Sequence, residues 1–217
     1  YAAFSLFQSN TGKGKVISAV VLAGVAGVLY LMYQNTPAET AVSAPIFQQF
    51  NPFFVVALTP VSLAFFGMLA KRNAEPSAPK KIGLGMLIAA IGFLVIAAGS
   101  NGLLTPNAQA AGIAAGEDVT RVSANWLVST YLVLTFAELF LSPMGISFVS
   151  KVAPPKMKGM MMGGWFVATA IGNMLTVVPA MIWGDQNLII VWGLLIGLCL
   201  VSAVFIFAIL KKLEKVC

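Results

Sequence analysis

The chain is 217 residues long, 59% hydrophobic and only 9% charged, with a mean hydropathy of +0.91; a soluble domain of this length needs far more charge to stay in solution. Its formal charge of +6 would suit a nucleic-acid binder, yet no basic stripe with interleaved aromatics exists, which excludes nucleic acid as a partner. With no histidine, two isolated cysteines (Cys199 and Cys217) and no carboxylate cluster, metal, cofactor and triad chemistry lack the residues to perform them, and no enzyme is expected.

What remains is a membrane. Six apolar runs, each near the roughly 20 residues that cross a bilayer core, follow one another along the chain. They read as helices, because an isolated span must satisfy its own backbone hydrogen bonds and the period-2 alternation of a barrel is absent. The fold class is therefore an all-α membrane bundle of about six transmembrane segments.

No N-terminal signal peptide is evident, and Tyr1 to Gln8 reads as the tail of an earlier segment, as if the chain were a piece of something longer. The first run is Val16 to Tyr33. The second, Pro52 to Leu69, is preceded by Gln48 and Asn51 and carries Pro60, Thr59 and Ser62, so a kink is expected within it. A stiff basic loop, Arg72 to Lys80, leads to the third run, Ile82 to Ala98. The small-residue spacing of Gly83, Gly85, Gly92 and Gly99, and of Gly159, Gly163, Gly164 and Gly172 at the fifth run, reads as close helix packing. The stretch from Gly99 to Asn125 is expected to continue the flanking helices rather than form a domain. The fourth run spans Trp126 to Phe148, the fifth Met160 to Ile182 and the sixth Leu188 to Leu210.

If each run crosses the membrane, every basic residue except Arg121 falls on one side, and Glu39, Glu117, Asp118 and Asp185 fall on the other. The positive-inside rule makes the basic side cytoplasmic. The expected location is the cytoplasmic (inner) membrane, multi-pass, with a cytoplasmic C-terminus.

The fourth run holds a single charge, Glu138, near its middle. An acidic residue at a helix centre costs roughly 2.5–3.5 kcal/mol on the insertion scale, so one found there normally faces a polar cavity and handles an ion, a proton or a substrate. Tyr131, Thr135, Glu138, Ser142 and Gly145 share a stripe at i, i+4, i+7, i+11 and i+14, and Pro143 predicts a bend. In the fifth run, Trp165, Thr169, Gly172, Asn173 and Thr176 share a face. Plainer roles compete with each reading. Glu138 could be a protonated, hydrogen-bonded structural group; Trp165 could be packing or an interfacial anchor; Asn51 could cap the helix beginning at Pro52.

The words themselves resemble a family. The stretch YLVLTFAELFLSPMGISFVSKVAPPKMKGMMMGGWFVATAIGN, Tyr131 to Asn173, looks like the tenth and eleventh spans of the proton-dependent oligopeptide transporters of the major facilitator superfamily. FQQFNPFF, Phe47 to Phe54, resembles the start of their eighth span. The resemblance implies that residues 47–217 are a C-terminal bundle of spans eight to twelve and that residues 1–46 hold a partial or additional transmembrane segment. It also implies proton-coupled symport of di- and tripeptides, with the N-terminal half of such a transporter, protons, the lipid bilayer and a small peptide as partners. By the same resemblance Glu138 meets the peptide's amino terminus and couples the proton, Ser142 and Trp165 line the pocket, and Asn51 contacts the peptide backbone. The rival reading is a carrier of the same superfamily for a drug, a sugar or nitrate.

Overall fold

Runs this apolar, with no water to satisfy the main chain, close their hydrogen bonds within each segment, and the regular structure among the described residues is helical, with no strand. The computed structural model describes residues 12–35 and 44–215, apart from the side chains at positions 14, 18, 29, 33, 44, 142 and 143. The expectations for Tyr1 to Gln8, for the Ser142 side chain and for a bend at Pro143 lie outside the described residues.

Internal contacts divide the chain into Tyr1–Ile46 and Phe47–Cys217. In the first unit α1 (Gly12–Asn35) is apolar on every side and its described residues are all exposed, as suits a helix bathed in lipid or awaiting a neighbour. Gln34 closes its last turns by donating to the Tyr30 hydroxyl at 2.6 Å.

The chain continues through one turn, α2 (Ala44–Phe47), into α3 (Phe50–Lys71), α4 (Ala78–Gly99), a short α5 (Pro106–Ala114), α6 (Asn125–Val152), α7 (Lys158–Leu175), α8 (Val177–Ile182) and α9 (Leu188–Glu214). Helix α4 lies at the centre, packed between α6 and α9; α3 lies on α6, and α7 touches α6 over a shorter stretch. Among the described residues six segments are long and apolar enough to cross a membrane, with α7 and α8 counted as one.

Small side chains set the core. Ala89, Ala90, Ala137 and Ala203 are buried where α4, α6 and α9 meet, and close approach replaces the hydrophobic drive that lipid cannot supply. Gly85, Gly92 and Gly99 repeat every seventh residue on α4; a methyl group on them would strike Leu141, Leu134 and Trp126 of α6, respectively. Gly83 faces α9, where an added Cβ would meet the Phe207 ring. The packing role expected of the third run's glycines is therefore observed. The same role expected of Gly159, Gly163, Gly164 and Gly172 is not seen: a Cβ at any of them would meet nothing within 4 Å, because α7 touches α6 over only a short stretch.

The fifth run, expected as one helix, breaks at Thr176. Pro179 is the physical reason: it has no N–H to donate to the carbonyl of Leu175 one turn back. The Gly99 to Asn125 stretch forms a helix of its own instead of extending its neighbours. Thr105 caps α5 by accepting from the Ala108 amide, and Gly116, at φ +76°, ends it.

Two unlike ends result. Trp126 lies against Gly99, Trp192 donates to Ser100 at 3.0 Å, and Trp183 meets Trp192 edge to face, which gathers three of the four tryptophans at one end as an interfacial belt does. At the opposite end Ser77 and Lys80 bind Glu214, and Lys81 pairs with Glu75.

Candidate functional site

Glu138 occupies the middle of α6, and its side chain is exposed on the flank of the bundle rather than packed inside. Asn51, in the first turn of α3, donates from Nδ2 to Glu138 Oε2 at 3.2 Å. That bond decides between two uses of the amide. Helix α3 begins at Phe50, with Gln49 before it and no side-chain cap, so Asn51 is already inside the helix and turns to the carboxylate instead of capping.

A second contact between the same helices defines how they meet. Phe66 of α3 stacks edge to face with Phe140 of α6 at 4.9 Å between ring centroids. Asn51 and Phe66 stand about four turns apart on α3, whereas Glu138 and Phe140 stand about half a turn apart on α6. Helix α3 therefore lies across α6, not alongside it. Pro60, between the two contacts, leaves one carbonyl of α3 without its usual donor.

Trp165 comes from α7 and lies on Gly145 of α6, where any side chain would run into the indole. Gly145 is two turns below Glu138 on the same stripe, roughly 10 Å along the axis. The structure thus joins Asn51 to Glu138 and puts Trp165 further along the same helix, bordering a separate apolar cleft of ≈ 410 Å³ with Leu141, Phe148 and Val149. The Ser142 side chain, between the two levels, is outside the described residues.

The stripe expected to line one polar groove is divided between environments. Thr135 is fully buried with no partner for its hydroxyl, and Gly145 is buried under the indole, while Glu138 is exposed. Three residues turn a helix through 300°, so Thr135 and Glu138 are roughly 60° apart, enough for one to face the core and the other to leave it. On α7, Thr169 donates to the Trp165 carbonyl at 2.9 Å and Thr176 to the Asn173 carbonyl at 2.6 Å. These hydroxyls serve their own helix.

Among the described residues no group of His, Cys, Asp or Glu could hold a metal ion. A mid-span carboxylate held by an amide from another span can accept a proton or bind a cationic group, and it offers one oxygen, Oε1, for doing so.

An acid in the middle of an apolar span marks a functional site by default. The chain belongs to the POT family, whose pattern matches residues 31–188. It is 36% identical over 128 residues to the peptide transporter YePEPT of Yersinia enterocolitica subsp. palearctica serotype O:3, covering 59% of this chain and 23% of that one. It is 28% identical over 196 residues to dipeptide and tripeptide permease B of Edwardsiella piscicida, covering 80% and 37%. Among solved structures, the peptide transporter POT in complex with sulfate matches with a TM-score of 0.69 at 27% identity, over 82% of this chain and 33% of that one. The chain thus spans roughly a quarter to a third of the relatives it matches.

Proposed function

We propose that the chain contributes spans eight to twelve, residues 47–217, to a proton-coupled symporter of di- and tripeptides in the cytoplasmic membrane, with residues 1–46 supplying a partial or additional transmembrane segment. The observation that carries this reading is the Asn51–Glu138 pair, an amide and a carboxylate from different spans presented together on the outside of the bundle. A carboxylate left in hydrocarbon costs roughly 2.5–3.5 kcal/mol, so that flank must meet something polar, and the N-terminal half of such a transporter is the surface that fits.

The mechanism follows from competition at one atom pair. Glu138 takes a proton when the site is empty, an arriving peptide ammonium displaces it, and the displaced proton passes to an acceptor in the N-terminal half so that proton and peptide cross together. Asn51 steadies the carboxylate and remains able to meet the peptide backbone. Trp165, seated on Gly145 of the same stripe of α6, extends the pocket toward the basic end, and Ser142 is the further residue proposed to line it. No bond in the peptide is made or broken; downhill proton entry drives uptake as the two halves rock about the site. The basic end, with the C-terminus, faces the cytoplasm in this reading.

Uptake of labelled dialanine by the full-length protein, with and without an imposed inward proton gradient, tests it. Gradient-dependent accumulation is expected. Uptake indifferent to the gradient would remove proton coupling, and no uptake of any short peptide would favour a drug, sugar or nitrate carrier.

A further inference from the structure

The basic end of the bundle carries a second feature that peptide transport does not use. A cleft of ≈ 380 Å³ opens there, with Glu75, Ser77, Lys81, Ser147, Phe148 and Lys151 among its walls, within the range of small-ligand pockets. Its carboxylates are already engaged. Glu75 is paired with Lys81, whose ammonium also sits 4.2 Å above the Phe66 ring, and Glu214, just beyond, accepts from Ser77 at 2.6 Å and pairs with Lys80 at 3.1 Å. Lys151 has no ion pair among the described residues. Helix α4 starts in the same cleft, where the Ser77 hydroxyl makes no cap and donates to Glu214 instead. The acids at this end are thus taken up by Ser77, Lys80 and Lys81, and Lys151 is left as the cleft's cation without an acidic partner among the described residues. The balance calls for an anion.

The apolar cleft under Trp165 adjoins it. Phe148 forms a wall of both, and consecutive residues Ala78 and Pro79 line one and the other. Beyond Phe148 the walls are aliphatic or aromatic, with Ile82, Leu141, Val149 and Ile209 from three helices and no charged group. A ligand that fills both is anionic at one end and a hydrocarbon at the other.

We propose that the two clefts form one site for an anionic glycerophospholipid of the leaflet at the basic end. The phosphate sits against Lys151 and the first turn of α4, and an acyl chain passes Phe148 into the cleft beside Ile209. The anionic lipid of a cytoplasmic leaflet is the source of this chemistry nearest to hand, and basic pockets between spans on that side suit such headgroups. The site is distinct from the Asn51–Glu138 pair but shares Trp165 with the proposed peptide pocket, and its leaflet rests on the orientation proposed above.

The test is native mass spectrometry of the delipidated full-length protein titrated with phosphatidylglycerol, phosphatidylcholine or inorganic phosphate. Phosphatidylglycerol adducts should exceed those of phosphatidylcholine by about fivefold, and Lys151→Gln, an exposed position, should remove that preference. Ile209→Trp, which fills the apolar cleft, should lower retention of both lipids. Equal retention of phosphatidylglycerol by wild type and Lys151→Gln overturns the proposal, as does unchanged retention in Ile209→Trp. Displacement of the lipid by millimolar inorganic phosphate, with the anion then bound alone, would assign the polar cleft to a free anion instead.

Discussion

Asn51 and Glu138, 87 positions apart in sequence, share a 3.2 Å hydrogen bond that ties the first turn of α3 to the midpoint of α6. The carboxylate can change its charge and the amide cannot, so the two members of the pair should fail differently.

Glu138→Gln preserves the shape and the hydrogen bond but removes the titratable group. Accumulation of peptide driven by a proton gradient is expected to vanish, while exchange of labelled for unlabelled peptide across the membrane continues. Wild-type gradient-driven accumulation in this variant would reduce Glu138 to a structural role. Asn51→Leu removes the amide proposed to meet the peptide backbone, and losing one such hydrogen bond, about 1 kcal/mol, should lower peptide affinity by roughly fivefold with gradient coupling retained.

Gly145→Ala and Gly163→Ala are the same chemical change in neighbouring helices, with opposite expected signs. At position 145 the methyl group meets the Trp165 indole, and such overpacking costs about 1–3 kcal/mol. At position 163 nothing lies within 4 Å, and alanine favours the helix by up to about 1 kcal/mol. Thermal unfolding of the purified variants should show a lower midpoint for the first and an unchanged or higher one for the second.

Adjacent lysines at the start of α4 separate in the same kind of assay. The Lys80 side chain is 46% exposed and its bond to Glu214 is a surface pair, so Lys80→Ala should cost less than about 1 kcal/mol. The Lys81 side chain is 4% exposed and lies over Phe66. Losing it strands Glu75, though the 40% exposure of that carboxylate should hold the cost to about 2 kcal/mol, below the range of fully buried pairs. Equal unfolding midpoints for the two variants would contradict the burial difference.

Sidedness can be read with impermeant thiol reagents in intact cells. A cysteine at Lys156, in the turn between α6 and α7, should resist labelling from outside, and one at Gln109 on α5 should react. Labelling at Lys156 would reverse the orientation.

The membrane spans were legible because apolar length is a property of each segment alone, and the mid-span charge of Glu138 stood out against it. Contacts between segments were not. Nothing near Asn51 reveals that its amide leaves its own helix for α6, and nothing near Trp192 announces Ser100. Pro179 was a local signal for the break at Thr176, hidden by hydropathy that continues unbroken across it. The stripe on α6 shows the limit of spacing as evidence: it places Thr135 and Glu138 near one another but not which neighbour covers each. Close packing by α4 glycines was readable, but why those of α7 meet nothing could not be read from α7 itself.

The three α4 glycines at seven-residue intervals act as detents. With Leu141, Leu134 and Trp126 seated over them, sliding α4 past α6 by even one residue would drive side chains into backbone at three levels at once, and close-packed interiors shift between discrete arrangements rather than creep. The two helices therefore move as one stiff beam. Motion in this bundle falls to α3, which crosses that beam, and to α7, which leans on it lightly and is followed by a break at Thr176. The Asn51–Glu138 bond spans the joint between beam and crosspiece, which makes it a natural gauge of their relative angle.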